Sequence, residues 1–343
     1  MTGHMKQVLL ASLLCGVGVS PAPCDWIRPQ KPDSPLVWGR TDGVVFGLHS
    51  TGGMTGPRGL IRVGIWNPLS GLPELVNFVA VEPVTEGPGY RFSRMGFSEL
   101  EPSVLDAPQR GKRLWVESVA GELATLPVRP QAIEQLTVRI EVEPFTANRA
   151  HVYVVARIQS NRPQEIAFAV YHHRDSAPIE ELTLTATMGN YERLRYLWLK
   201  DHVVESRALY AGFSGNGFID RENYPVEEIL KYGDGDAIAL CTSDEPNPAA
   251  VEVSIPWWKY GSAKLTQYWR VAARHIQPDL RVKVNGRRVY WASQVELPGG
   301  VAFENFEVRQ RYVPGQEVVF GLTTKEPWQI EPKIPRLPPL PAR

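Results

Sequence analysis

Proline and glycine recur so often along this chain, 30 and 29 times in 343 residues, that few stretches are long enough for a multi-turn helix. What lies between these breaks alternates with period two. Leu182-Thr183-Leu184-Thr185-Ala186-Thr187-Met188 alternates apolar and hydroxyl side chains, and Val138, Ile140 and Val142 alternate with Thr137, Arg139, Glu141 and Glu143. Segments 151–159 and 166–173 are rich in Val, Tyr, Ile and Phe. These four segments read as antiparallel strands, each with one buried and one wetter face. Further strands are expected at 44–49, 59–66, 75–82, 113–117, 236–241, 250–255, 264–271, 281–284, 287–291, 302–312 and 317–322. Asn285-Gly286 predicts a tight hairpin, because both residues tolerate positive φ. One short helix is expected at 225–231, with Pro225 in its first turn. The expected fold class is therefore all-β: a large antiparallel β-sandwich, single or as two packed sandwiches, with few short helices.

The ends of the chain read differently. Lys6 precedes an apolar run from Val8 to Val19, too short to span a bilayer and suited to the core of an export signal. Residues 1–22 are expected to be that signal, 23–36 a linker, 37–326 the β-sandwich and 327–343 a proline-rich tail. A subdivision near 214–235, dense in Gly, Asn and Asp, is the one candidate boundary. A secreted or periplasmic location follows, with no transmembrane segment expected. A lipid anchor is disfavoured, since neither Cys15 nor Cys24 follows the small residue such anchoring needs. Cys24 and Cys241 are free to pair or to stand apart.

Lys plus Arg and Asp plus Glu both number 37, so the formal net charge is zero. That balance removes the concentrated positive charge a general nucleic-acid binder needs. The chain has no P-loop, no GxGxxG in a strand–helix setting, no HExxH and no GxSxG. No cofactor is expected. Asp and Asn in 214–236 offer oxygens to calcium, but their spacing matches no EF-hand loop.

The densest ionisable cluster is Tyr171-His172-His173-Arg174-Asp175, at the end of a strand. Period two places His172 with Ile166, Phe168 and Val170 on the core side, and His173 with Ala167, Ala169 and Tyr171 on the other. The small side chains there leave room above the sheet. Tyr171 and His173 are candidate acid and base, with Arg174 placed to neutralise a carboxylate, the requirements of a polysaccharide lyase. A strand end merely meeting water is the alternative. Arg193, Arg195 and Tyr196 are candidate substrate contacts, because arginine beside aromatics suits an acidic sugar. Trp258 is a candidate stacking platform among ten tryptophans. Glu304 and Glu307 are spaced to point to opposite faces of a strand and so make a poor catalytic couple. Glu307 is retained as a candidate contact, one that only a carboxylate distant in sequence could complement.

Three blocks, PRGLIRVGIWNP (57–68), LTATMGNYERLRYLWLKD (184–201) and VAFENFEVRQRY (301–312) with VVFGLTTKEP (318–327), resemble segments of exported bacterial proteins from carbohydrate-degrading repertoires. The chain is similar in architecture to the supersandwich folds of galactose mutarotase-like proteins and several polysaccharide lyases. That resemblance carries no motif whose chemistry transfers. It implies an exported carbohydrate-active protein that cleaves a polysaccharide by elimination or hydrolysis. The alternative is a non-catalytic carbohydrate-binding or cell-envelope structural protein. The expected partner is a polysaccharide or oligosaccharide.

Overall fold

The computed structural model describes residues 24–49, 57–86, 94–95, 112–189, 191–245, 258–260, 264–290 and 293–335. In chain order its strands are β1 (Trp26–Ile27), β2 (Val37–Arg40), β3 (Val44–Gly47), β4 (Ile61–Asn67), β5 (Leu72–Thr85), β6 (Arg94–Met95), β7 (Leu114–Trp115) and β8 (Glu122–Leu126). They continue with β9 (Ile133–Val142), β10 (Val152–Gln159), β11 (Arg162–His172), β12 (Ile179–Thr187), β13 (Leu194–Trp198), β14 (Val203–Glu205) and β15 (Glu222–Pro225). The last are β16 (Leu230–Tyr232), β17 (Asp236–Ser243), β18 (Lys259–Tyr260), β19 (Thr266–Val271), β20 (Arg281–Arg287), β21 (Ala302–Arg311) and β22 (Glu317–Thr323). Among the described residues two four-residue α-helices, Ser206–Leu209 and Pro327–Ile330, and two short 3₁₀ turns complete the regular structure. The fold is the expected all-β sandwich. Among the described residues no helix is long and apolar enough to cross a membrane.

The first sheet runs β1-β2-β3-β4-β5-β12-β21-β20-β15, with β6 and β18 also paired to β5. The second runs β14-β13-β17-β19-β22-β11-β10-β9-β7, with β16 on β17 and β8 on β9. All pairs are antiparallel except β5 with β18. The alternation read from the sequence explains the packing. Val138, Ile140, Val154, Ala156, Ile166 and Phe168 of the second sheet face Val79, Val81, Leu182, Leu184, Phe306 and Val308 of the first in one continuous core. Polar links cross it. The Trp269 indole N–H donates to the Phe306 carbonyl at 2.9 Å, and the Asn77 amide to Gln267 Oε1 at 2.9 Å. Removing either partner would strand a buried polar group.

Local expectations fail here for physical reasons, and the separate strand expected at 287–291 is replaced by the end of β20 at Arg287 and an isolated bridge from Val289 to Glu296. Asn285-Gly286 does not turn: it lies within the unbroken strand β20, where the ladder to β21 shifts register. A Cβ on Gly286 would stand 2.8 Å from the Tyr210 ring, so the glycine serves a close aromatic approach. The helix expected at 225–231 shrinks to the 3₁₀ turn Val226–Glu228, because Glu222–Pro225 and Leu230–Tyr232 on either side are drawn into strands. The strand expected at 250–255 and the export signal at 1–22 lie outside the described residues. Cys24 is exposed and Cys241 buried in the core, and neither is bonded to the other.

Bulges interrupt the alternation, and those in β13 and β21 fall at candidate residues. Leu194 and Leu197, three residues apart, both face the core, as do Phe303 and Phe306. Strict period two forbids this, and the register shifts at Leu194/Tyr196 and Asn285/Gly286 supply the extra residue in each case. The second bulge also removes the parity that would set Glu304 and Glu307 on opposite faces.

Candidate functional site

The outer face of the second sheet carries a polar trough of about 690 Å³. Ala167 of β11 and Val319 of β22 line it as small apolar residues, together with Tyr232 at the end of β16, Gly233, Asp234 and Ala272–Arg274. Its polar groups are ordered by mutual pairing. Arg270 of β19 grips Glu165 through Nε at 3.1 Å and Nη2 at 2.5 Å, and reaches Asp236 through Nη1 at 2.7 Å. The Tyr268 hydroxyl also donates to Glu165, at 3.1 Å. Arg157 of β10 donates to Glu317 at 2.7 Å. Burial pushes the Asp236 carboxyl up, but the Ala273 amide and the Arg270 guanidinium outweigh it and hold the group below the ordinary range. Burial beside Glu165 pushes the Tyr268 phenol up.

Along the same face, two and three alternations beyond Ala167, lie Tyr171 and His173. Tyr171 pairs across the ladder with Tyr153, and Tyr153 with Glu141 of β9. The two phenol rings are nearly parallel, 5.1 Å apart at 9°. Arg139 spreads over the Tyr153 ring at 3.8 Å while its Nε holds Glu141 at 2.5 Å. His173 Nε2 lies 3.0 Å from the other Glu141 oxygen and its ring stacks on His151 at 4.0 Å. His151 Nδ1 in turn lies 2.8 Å from Asp175, whose carboxyl that bond holds below its usual range. Gly315, at φ +76°, lets the adjoining hairpin pass against Tyr171, whose ring would stand 2.8 Å from a Cβ there.

Tyr171 and His173 are thus brought together, as two members of a ledge whose others, Tyr153, His151, Glu141 and Arg139, come from neighbouring strands. Arg174 follows in an exposed turn and makes no hydrogen bond or ion pair to them. His172 keeps the parity of Ile166, Phe168 and Val170, but the strand ends before the core closes over it. It is exposed, with Nδ1 3.1 Å from the Tyr312 hydroxyl.

The remaining candidates lie elsewhere. Arg193, at φ +46° just before β13, clamps Glu245 through Nε at 2.8 and 2.9 Å and through Nη2. Arg195, the bulged residue of β13, has a fully buried side chain. It reaches Asp244 at 2.8 Å, Glu245 at 2.6 Å and the carbonyls of Pro298 and Gly300. These guanidiniums tie the loop before β21 to the end of β17. Tyr196 packs with Trp198, Leu230, Ile238 and Leu240 beneath Ile330 and Ile334 of the C-terminal segment. Trp258 is buried against Val37, Val45, Leu60 and Phe78 on the outer side of the first sheet. Glu307 is buried on that same outer side, held by Arg221 at 2.7 Å and 3.7 Å from Lys283 Nζ. Among the described residues no group of three or more His, Cys, Asp or Glu side chains converges as a metal-binding set.

Glu141 and Tyr153 were identifiable only in part. Both occupy the wet positions of their strands by parity, but their pairing with Tyr171 and His173 depends on the order β9-β10-β11. Comparison with models of protein families, with curated proteins and with solved structures gave no match, so the site is read from its own geometry.

Proposed function

We propose that the protein binds an extended glycan along the outer face of its second sheet, from the trough to the Tyr153–Tyr171 ledge. The trough carries this reading. It is lined by polar groups, and Arg270 with Glu165 and Asp236, and Arg157 with Glu317, are already paired, so they present fixed donors and acceptors to sugar hydroxyls without requiring a net charge. The ledge adds aromatic surface, on which the apolar face of a sugar ring packs. Successive outward positions on β11 lie about 6–7 Å apart, so a ligand spanning Ala167 to Tyr171 covers more than one sugar unit. An extracellular polysaccharide and an exported protein are parts of the same proposal.

One observation favours cleavage as a second reading. Both imidazoles of the ledge are held by carboxylates, His173 by Glu141 and His151 by Asp175, the arrangement that orients a histidine for proton transfer. The test is a panel of acidic and neutral polysaccharides presented to purified protein. Binding is measured by affinity electrophoresis, while ultraviolet absorbance of unsaturated uronate and release of reducing ends are followed in parallel. Binding that is weakened by Tyr171→Ala and by Arg157→Ala supports the glycan reading, and no retardation by any polymer would sink it. Turnover abolished by His173→Ala with binding retained would establish the catalytic form.

A further inference from the structure

Resting on the glycan reading of the trough, we infer that it selects sugars carrying an acidic group, a carboxylate or a sulfate ester, held by Arg157, Arg162 and Arg274. Arg157 of β10 stands opposite Ala167 of β11, Ala167 opposite Val319 of β22, and Val319 opposite Arg270 of β19. Two small side chains thus separate two arginines in one rank across the sheet. At a strand spacing of about 4.8 Å the arginine backbones are about 14 Å apart. All four residues line the cavity of about 690 Å³. The side chains of Arg157 and Arg162 are 24% and 54% exposed, and Arg274 is exposed, so a ligand in the trough reaches all three guanidiniums.

The hydrogen bonds decide what kind of sugar. Glu165 accepts from Arg270 Nε and Nη2, from the Tyr268 hydroxyl and, at 3.5 Å, from Arg162. Asp236 accepts from Arg270 at 2.7 Å and from the Ala273 amide at 2.9 Å. Both carboxylates are therefore satisfied by the protein's own donors. The arginines are not. A guanidinium carries five N–H groups. Arg157 commits one to Glu317, Arg162 one to Glu165 at the limit of reach, and Arg274 has no partner among the described residues. The trough thus offers more donors than acceptors. A sugar hydroxyl donates as well as accepts, whereas a carboxylate or sulfate only accepts and forms charge-assisted bonds with guanidinium. Arg157 and Arg162 belong to β10 and β11, while Arg274 follows β19 on the far side of β22, so acidic groups meet cations from both flanks. Asp234 also lines the trough without a partner, and its charge opposes an anion there.

Matched polymers isolate the charge. By affinity electrophoresis of the full-length chain, polygalacturonate is compared with its fully methyl-esterified form, and dextran sulfate with dextran. At least one charged polymer should bind about tenfold tighter than its neutral counterpart, and the pair that shows the difference tells carboxylate from sulfate. Arg162→Gln and Arg274→Gln, both at exposed positions, should each lower that affinity about fivefold and leave the neutral polymer unaffected. Asp234→Asn should raise it. Arg311→Gln, at an exposed arginine of β21 on the first sheet, should change nothing. Equal binding of charged and neutral members would overturn the acidic preference while leaving the glycan reading in place. No retention by any polymer would remove both. A loss with Arg311→Gln equal to that with Arg274→Gln would overturn the assignment by showing diffuse attraction to the whole surface.

Discussion

Arg195→Met asks whether the buried arginine of β13 is part of the scaffold. The wild-type guanidinium is fully buried and makes two charge-assisted bonds, at 2.8 Å to Asp244 and 2.6 Å to Glu245, besides those to the Pro298 and Gly300 carbonyls. Methionine keeps most of the volume but abandons these acceptors. Two charge-assisted bonds at about 1.5–3 kcal/mol each give about 3–6 kcal/mol, and relief of the arginine's own desolvation returns part of it. The expected loss is about 3–5 kcal/mol, the range for breaking a buried ion pair from one side. Asp244 and Glu245 also bind Arg207 and Arg193, so Asp244→Asn with Glu245→Gln should not restore stability when added to Arg195→Met. The pH dependence sharpens the test. Burial pushes both carboxyls up, but the arginines, Arg195 for Asp244 and Arg193 with Arg195 for Glu245, outweigh it and hold them below the ordinary range. A carboxyl depressed in the folded state contributes stability that is present above its unfolded value near about 4 and is lost as pH falls through its folded value. The gap between wild type and Arg195→Met should therefore be widest at neutral pH and narrow below about pH 4. Urea denaturation at several pH values measures it. A gap under about 1 kcal/mol at pH 7, or one indifferent to pH, would refute the scaffold role.

Further outcomes are expected. Tyr171→Ala should weaken glycan binding about fivefold, the effect of losing one aromatic contact of about 1 kcal/mol, as read by affinity electrophoresis. Gly321→Ala places a Cβ 2.0 Å from the Tyr268 ring that lies across it. It should cost about 1–3 kcal/mol in thermal denaturation and, by moving the hydroxyl that holds Glu165, also weaken binding in the trough. Glu192 is buried, and that burial, with Glu74 nearby, raises its carboxyl well above the usual range despite Arg193. The folded state then holds a proton that the unfolded chain releases, so stability falls as pH rises from about 4 toward the raised folded value. Glu192→Gln should remove that fall and be the more stable protein at the alkaline end, as denaturation midpoints across pH will show.

The alternation in 137–143, 151–159, 166–173 and 182–188 was sufficient to identify an all-β sandwich and to name the core-facing side of each strand, but not to show that the hydroxyl side of 182–188, with Thr183, Thr185 and Thr187, is buried too. Side-chain parity is a local property of an extended chain, so Phe168 and Tyr171 could be assigned to opposite faces without knowing any neighbour. The same parity put Ala167, Tyr171 and His173 on one surface. Tertiary structure alone decided which surfaces stay accessible and which charges meet. Arg193 and Arg195 find Glu245 and Asp244 only because β13 pairs with β17 some fifty residues later. Trp258 and Tyr196 are covered by segments remote in sequence. The bulges of β13 and β21 break the period where Arg195 and Glu304 lie, and Asn285-Gly286 was held extended by its pairing with β21. Parity depends on the residue before and after, whereas burial and charge pairing depend on strand order, which the local pattern leaves undetermined.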